Sequence, residues 1–250
     1  MPRAMLDTLN LPDFRAGRDV LVLKPPGYDT TSEYFPVAYV ADAQEFFASQ
    51  DGWYGDRMIP QLILNGDIPP VIIVGVASLS GPSRLEEYAP WNGSYEGSAI
   101  TGGGMQFLTA LRDTLKPEIE RRYRCRPQDA YFIGSSIAGL LALEAAYDFD
   151  STFVGCAAVS ATLGWSGGVG VSYIATQEKP MVSKLYLDVG TVNDNSVELL
   201  ETLALILREQ GFVDGIDLLL VVQEGHSHSP VCWGTRLPGL LRFLLNSSTP

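Results

Sequence analysis

The chain has 250 residues, 46% of them hydrophobic and 18% charged, with a formal net charge of −12. That composition supports a sizeable core and reads as one domain of the larger α/β kind across residues 1–250. The acidic excess argues against nucleic acid and anionic membranes as partners, since both are bound by lysine and arginine that displace counterions, and it mildly disfavours polyanionic substrates.

The longest apolar runs, residues 70–77 and 217–222, are strand-length and far too short to span a bilayer. The N-terminal stretch MPRAMLDTLNLPDF lacks a continuous apolar segment after its charge. The expectation is a cytoplasmic protein, or a secreted one if a leader has been trimmed. Cys125, Cys156 and Cys232 show no CxxC spacing and read as unbridged thiols in a reducing compartment. Two histidines make a zinc centre implausible, and no cofactor is called for. Composition is silent on oligomeric state.

Short apolar runs rich in Val, Ile and Tyr alternate with longer helical stretches, the pattern of a mostly parallel sheet covered on both faces. A strand at 19–24 meets the turn PPGYD, which suggests an antiparallel start before a second strand at 37–40. A helix at 57–64 and a strand at 71–76 follow. Residues 79–100 are polar and rich in Gly, Pro and Tyr, and read as a long functional loop. After the glycines of 101–104, Met105, Leu108, Leu111 and Leu115 repeat at helical spacing and predict a helix over 104–123. Then come a strand at 130–133, a helix at 137–147, strands at 153–159 and 184–188, a helix at 197–210 ended by Gly211, a strand at 217–222 and a helix at 235–244.

The strongest local signal is YFIGSSIAGLLALEAA, residues 131–146. An apolar strand runs into Gly134-Ser135-Ser136-Ile137-Ala138, and a helix of small and apolar residues follows at once: strand, sharp turn, helix, the setting of a nucleophile elbow. Such a turn strains the serine backbone, so the positions two before and two after it must be small, and Gly134 and Ala138 meet that need. Gly139 lets the helix approach the sheet. Ser136 is then the candidate nucleophile, with the Ile137 amide and the helix N-terminus facing a developing oxyanion. An ordinary strand-to-helix turn is the competing reading, and Ser135 is a poor alternative because Ile133 and Ile137 would crowd its elbow.

A serine needs a base within reach, and only His226 and His228 exist. Both follow the last expected strand and precede the closing helix. The acid should follow the strand at 184–188. Asp194 is the choice there, against a reading in which it caps the next helix. Asp188 looks like the strand's own end, Asn193 carries no charge, and Asp214 and Asp217 are more distant alternatives.

These residues jointly resemble the esterase family that includes enterochelin (siderophore) esterases, feruloyl and acetyl-xylan esterases and esterase D-like enzymes. The resemblance shows in LVLKPPGYD, PVAYVADAQEFF, PPVIIVGVAS followed by Arg84 and EYAPW, GGGMQFLTALRDTLKPEIERRY, GSSIAGLLALEAA, LYLDVGT and HSPVCW. It implies an α/β-hydrolase fold, with a mostly parallel central sheet and helices on both faces, and a Ser–His–acid mechanism without a metal. It also favours His228 as base, because Trp233 stands five positions after it, and it places the second oxyanion amide in the Asp42-Ala43-Gln44 loop, at Ala43. Relatives often read Gly-Thr-x-Glu where this chain has Asn193, so either Asp194 takes over or a Ser–His dyad suffices.

The reaction implied is two-step acyl transfer from a small or aromatic ester to water. Tyr88, Trp91 and Tyr95, with Trp53, Tyr54 and Trp233, are candidates to line the pocket, or else they pack the loop onto the core. Arg84 either meets a substrate anion or pairs with Glu86 or Glu87. A siderophore esterase, an acyltransferase on the same scaffold and a non-catalytic binding protein are the alternative readings.

Overall fold

The structure is a computed structural model that describes residues 6–11, 14, 17–192 and 196–246. Its strands are β1 (Leu6–Asn10), β2 (Asp19–Leu23), β3 (Phe35–Ala41), β4 (Ile72–Val76), β5 (Gly93–Tyr95), β6 (Ser98–Ile100), β7 (Cys125–Ser135), β8 (Gly155–Val159), β9 (Lys184–Val192) and β10 (Leu218–Ser227). The helices are α1 (Ala43–Phe46), α2 (Gly55–Leu64), α3 (Pro82–Tyr88), α4 (Gly104–Ala110), α5 (Lys116–Arg122), α6 (Ile137–Asp148), α7 (Val169–Ile174), α8 (Val197–Glu209) and α9 (Pro230–Leu245).

Eight strands form one sheet in the order β1-β2-β4-β3-β7-β8-β9-β10. β1 and β2, and β2 and β4, pair antiparallel; from β4 to β10 every pairing is parallel. This is the α/β-hydrolase architecture. Both faces are covered, so the inner strands β4 and β8 are buried throughout instead of alternating. Apolar clusters lie on the two sides of the sheet, one built around α4 to α6 and the other around α1, α2 and α9. α6 has buried residues all around its circumference from Ile137 to Ala146, as a helix enclosed by sheet and neighbours must.

Three expectations need correction. Residues 79–100 are not a single loop: Pro82 opens the helix α3, and β5 pairs with β6 in a hairpin. The helix expected over 104–123 is broken in regularity by a five-residue π turn at Leu111–Leu115. α9 starts at Pro230, earlier than the apolar spacing suggested, because a proline at the first turn gives up an amide that has no helical partner anyway. β1, α1 and α7 had no counterpart in the sequence reading.

Parallel pairing sends the C-terminal ends of β3, β7, β8, β9 and β10 to one edge of the sheet. The register fixes their neighbours: Val40 lies beside Ile133, Ser135 beside Val159, and Val159 beside Asp188. Ligands of open α/β sheets bind at that edge.

Candidate active site

Ser136 sits between β7 and α6 with φ 59° and ψ −124°, a conformation costly for any residue with a Cβ. Packing imposes it. A Cβ at Gly134 would stand 2.0 Å from the Ala138 carbonyl oxygen, and one at Gly139 would stand 2.9 Å from that of Val159. The serine's amide donates to the Val159 oxygen at 2.9 Å, and its carbonyl accepts from the Thr162 amide at 3.0 Å. Its hydroxyl lies 3.3 Å from that of Thr162, a neighbour the sequence reading did not pick out. The first amides of α6, beginning with Ile137, have no partner within the helix.

The turn after β3 lies beside this elbow. Asp42 is left-handed, with φ 57°, and caps α1, whose first residue is Ala43. Its carboxylate takes two hydrogen bonds from Arg84, Nε to Oδ1 and NH2 to Oδ2, each at 2.7 Å. The guanidinium fork is therefore engaged by Asp42 and not by Glu86 or Glu87; Glu87 pairs with Arg18. The Gln44 side chain is anchored on Ser78, accepting from its amide at 3.0 Å.

β10 bends at its end, its register with β9 shifting between Gln223 and Ser227. Gly190 permits the crossing: a Cβ there would meet the His226 carbonyl oxygen at 2.1 Å. His228 follows, its ring edge-on to Trp233 at 5.1 Å. Trp233 packs on Trp53 at 6.0 Å, and Trp53 on Phe46 of α1 at 5.2 Å, so an aromatic series links the histidine loop to the Ala43 turn. His226 points elsewhere, with Nδ1 3.4 Å from Arg236 NH1 and from Thr235 Oγ1.

Asp188 is not a strand terminus but lies inside β9, wholly enclosed. It accepts from Arg236 at 2.9 and 3.0 Å, from the Tyr186 hydroxyl at 2.8 Å and from the Ser160 amide at 2.9 Å. Burial pushes its carboxyl pKa up, while the Arg236 charge and these donors pull it down. Arg236 also bonds the Ser160 hydroxyl. The pair thus ties α9 to the β8 turn whose Val159 and Thr162 hold Ser136.

Asp194 and Asn193 lie outside the described residues. Asp214 pairs with Arg208, and Asp217 with Lys179, both before β10 and so at the opposite edge of the sheet. Among the aromatic candidates, Trp91 is half-buried against Tyr173 at 5.5 Å and Tyr95 is exposed. Tyr88 has no accessible surface and packs edge-on against Phe107 at 4.9 Å. Trp53 and Trp233 are buried as well. These three rings are therefore core residues, Tyr88 in the cluster on one side of the sheet and Trp53 and Trp233 in the cluster on the other.

Residues 14–238 match the family described as Putative esterase. The chain belongs to that family. It is an ester hydrolase on the α/β-hydrolase scaffold. Over 243 residues it is 25% identical to the uncharacterized protein YbbA of Bacillus subtilis (strain 168), covering 89% of this chain and 92% of that one. The BES protein from Bacillus cereus superposes with a TM-score of 0.75 at 19% identity, over 99% of this chain and 98% of that one. The enterobactin esterase FES from Shigella flexneri gives 0.77 at 19% identity over 98% of this esterase, which spans only 59% of that longer chain. A ferulic acid esterase gives 0.71 at 17% identity, covering 96% of each chain. Among the described residues no helix is long and apolar enough to cross a membrane.

Proposed function

We propose that this esterase cleaves a small or aromatic carboxylic ester through an acyl-enzyme on Ser136. The observation that carries the reading is the strained Ser136 backbone at the mouth of α6, held by Gly134 and by the Val159–Thr162 turn. A backbone cost of this kind persists where the surrounding structure over-determines it, and such sites cluster where chemistry is done.

In this reading His228 takes the Ser136 proton as Oγ bonds to the ester carbon, and the carbonyl π pair moves onto oxygen. The Ile137 and Ala43 amides face that oxyanion. The carbonyl re-forms, the ester C–O bond breaks, and His228 passes its proton to the departing alcohol. Water, deprotonated by the same imidazole, then releases the acid and restores Ser136. Asp194 is assigned to orient His228.

Charge and composition favour a neutral ester as the substrate. The Arg84 fork is engaged by Asp42, which removes the obvious partner for an anionic substrate, and the chain carries a net charge of −12. A neutral ester fits both facts. The half-buried Trp91 offers an aromatic face. One of the similar structures is a ferulic acid esterase, and an enterobactin esterase was seen with 2,3-di-hydroxy-N-benzoyl-serine, a compound that carries an aromatic acyl group on nitrogen.

The test is hydrolysis of a short p-nitrophenyl ester and of an aryl-acid ester by the wild type, Ser136→Ala, His228→Ala and His226→Ala. The expected losses are about 10³-fold or more for the first two variants, with most activity kept by the third. Activity surviving Ser136→Ala overturns the nucleophile. Acyl transfer to an added alcohol outrunning hydrolysis overturns the assignment of water as acceptor.

A further inference from the structure

Beyond the active site, the edge of the sheet at β10 has features of an interface. β10 is the outermost strand, with β9 on one side and no strand on the other among the described residues. Its stretch Leu218–Gln223, LLLVVQ, has neither charge nor proline. Edge strands left free in solution are ordinarily blunted by lysine, proline or a twist away, because their open backbone groups template pairing with another chain.

Neither face of this edge is closed. On the α9 side, Leu219, Val221 and Gln223 border an open cavity of about 400 Å³ that His226, Thr235 and Arg236 also line. On the α8 side, Leu220 and Val222 with Leu200, Ala204 and Leu205 border one of about 270 Å³. Leu205 is 61% exposed and Val222 49%, so apolar surface continues from the strand onto the helix.

The charges flanking that surface are self-complementary. Glu201 and Arg208 both border the α8 groove, and the midpoint between them falls between Ala204 and Leu205. α8 connects two parallel neighbours, so it runs against them on one face of the sheet. A two-fold axis perpendicular to the sheet keeps that face. It would pair β10 antiparallel with its copy and lay α8 antiparallel along the second α8. Glu201 of one copy then meets Arg208 of the other, twice over, the isologous arrangement a two-fold contact requires. Arg208 already pairs with Asp214 at 2.9 Å, with both side chains about half exposed, and such an exposed pair yields easily to another carboxylate.

We propose that β10 and the outer flank of α8 form the interface of a homodimer in which the sheet runs on across the two-fold axis. Each chain's net negative charge opposes association, so the apolar strand and helix flank supply the attraction and the Glu201–Arg208 pairs set the register. The proposal stands apart from the assignment of the catalytic residues.

Sedimentation equilibrium of the full chain, from sub-micromolar to high micromolar, tests it. The wild type is expected at twice the chain mass. Leu205→Asp and Val222→Lys, made separately, are expected to shift it to monomer with ester hydrolysis per chain unchanged. Glu201→Arg should weaken the dimer by about tenfold, and adding Arg208→Glu should restore it. A wild type that stays monomeric overturns the proposal, as does a dimer that survives both Leu205→Asp and Val222→Lys.

Discussion

Arg84 closes two nitrogens on the Asp42 carboxylate, each at 2.7 Å, across 42 residues of chain. Asp42 is in the left-handed region, which aspartate tolerates better than most side chains. The pair holds the turn after β3 that leads into Ala43, whose amide faces the oxyanion in the proposed mechanism. Arg84→Ala should therefore lower kcat by about 10- to 100-fold with little change in KM, since the lost interaction acts through the transition state. Arg84→Lys, which cannot reproduce the fork, should recover only part. Steady-state kinetics on a p-nitrophenyl ester separates the two parameters.

Arg236→Ala leaves Asp188 buried with an uncompensated charge. Removing one partner of a buried pair costs about 3–5 kcal/mol, which should appear as a large fall in the denaturant midpoint. The β8 turn under Ser136 loses its tie to α9 as well. Arg236→Met, which keeps volume but not charge, should be no better unless Asp188→Leu accompanies it. Urea unfolding of the single and double variants reads the difference.

Gly190→Ala pushes a methyl group against the His226 carbonyl, where 2.1 Å is available. The histidine loop must shift while the core beneath it stays. The expected result is a loss of ester hydrolysis of about tenfold or more with a much smaller change in melting temperature. An equal fall in both would mean that the glycine serves the fold and not the loop.

Glu144 lies in α6, and its Oε2 has no hydrogen-bond partner among the described residues. Burial, and secondarily the nearby Asp148, push its carboxyl up to about 8. A carboxyl raised in the folded state binds a proton that the unfolded chain releases near its ordinary value. Stability should accordingly fall as pH rises from the ordinary carboxylate range to about 8, and level off above it. At about 1.4 kcal/mol per pKa unit, the penalty is on the order of a few kcal/mol. Glu144→Gln should melt higher than the wild type at pH 8 and nearly with it at pH 5. Equal melting curves at both values would refute the buried-acid account.

The three thiols should separate by reactivity. Burial pushes Cys125 up to about 12 and Cys156 higher still. At Cys232 burial opposes ionisation, but hydrogen bonds from Ser229 and Ser227 and the Arg236 charge outweigh it and lower the pKa. Iodoacetamide at neutral pH should label Cys232 first, as peptide mass spectrometry would show. Prior labelling of Cys156 in folded protein contradicts the structure.

The sequence alone determined the alternation of strands and helices, the parallel sheet, and the turn at Ser136. Those rest on forces acting within a few residues: apolar period, proline and glycine geometry, and the steric demand that Gly134 and Ala138 share. It also isolated His226 and His228 simply by their scarcity, but it ended the last strand at 222, whereas β10 runs on through His226 to Ser227 and only His228 lies beyond it. Only the tertiary structure decided that Arg84 binds Asp42, that Asp188 belongs to Arg236, and that Tyr88, Trp53 and Trp233 are buried in the core. The strand order that sets β3 beside β7, and β8 beside β9, brings residues dozens of positions apart into contact, and no local pattern encodes which charged groups those neighbours will share.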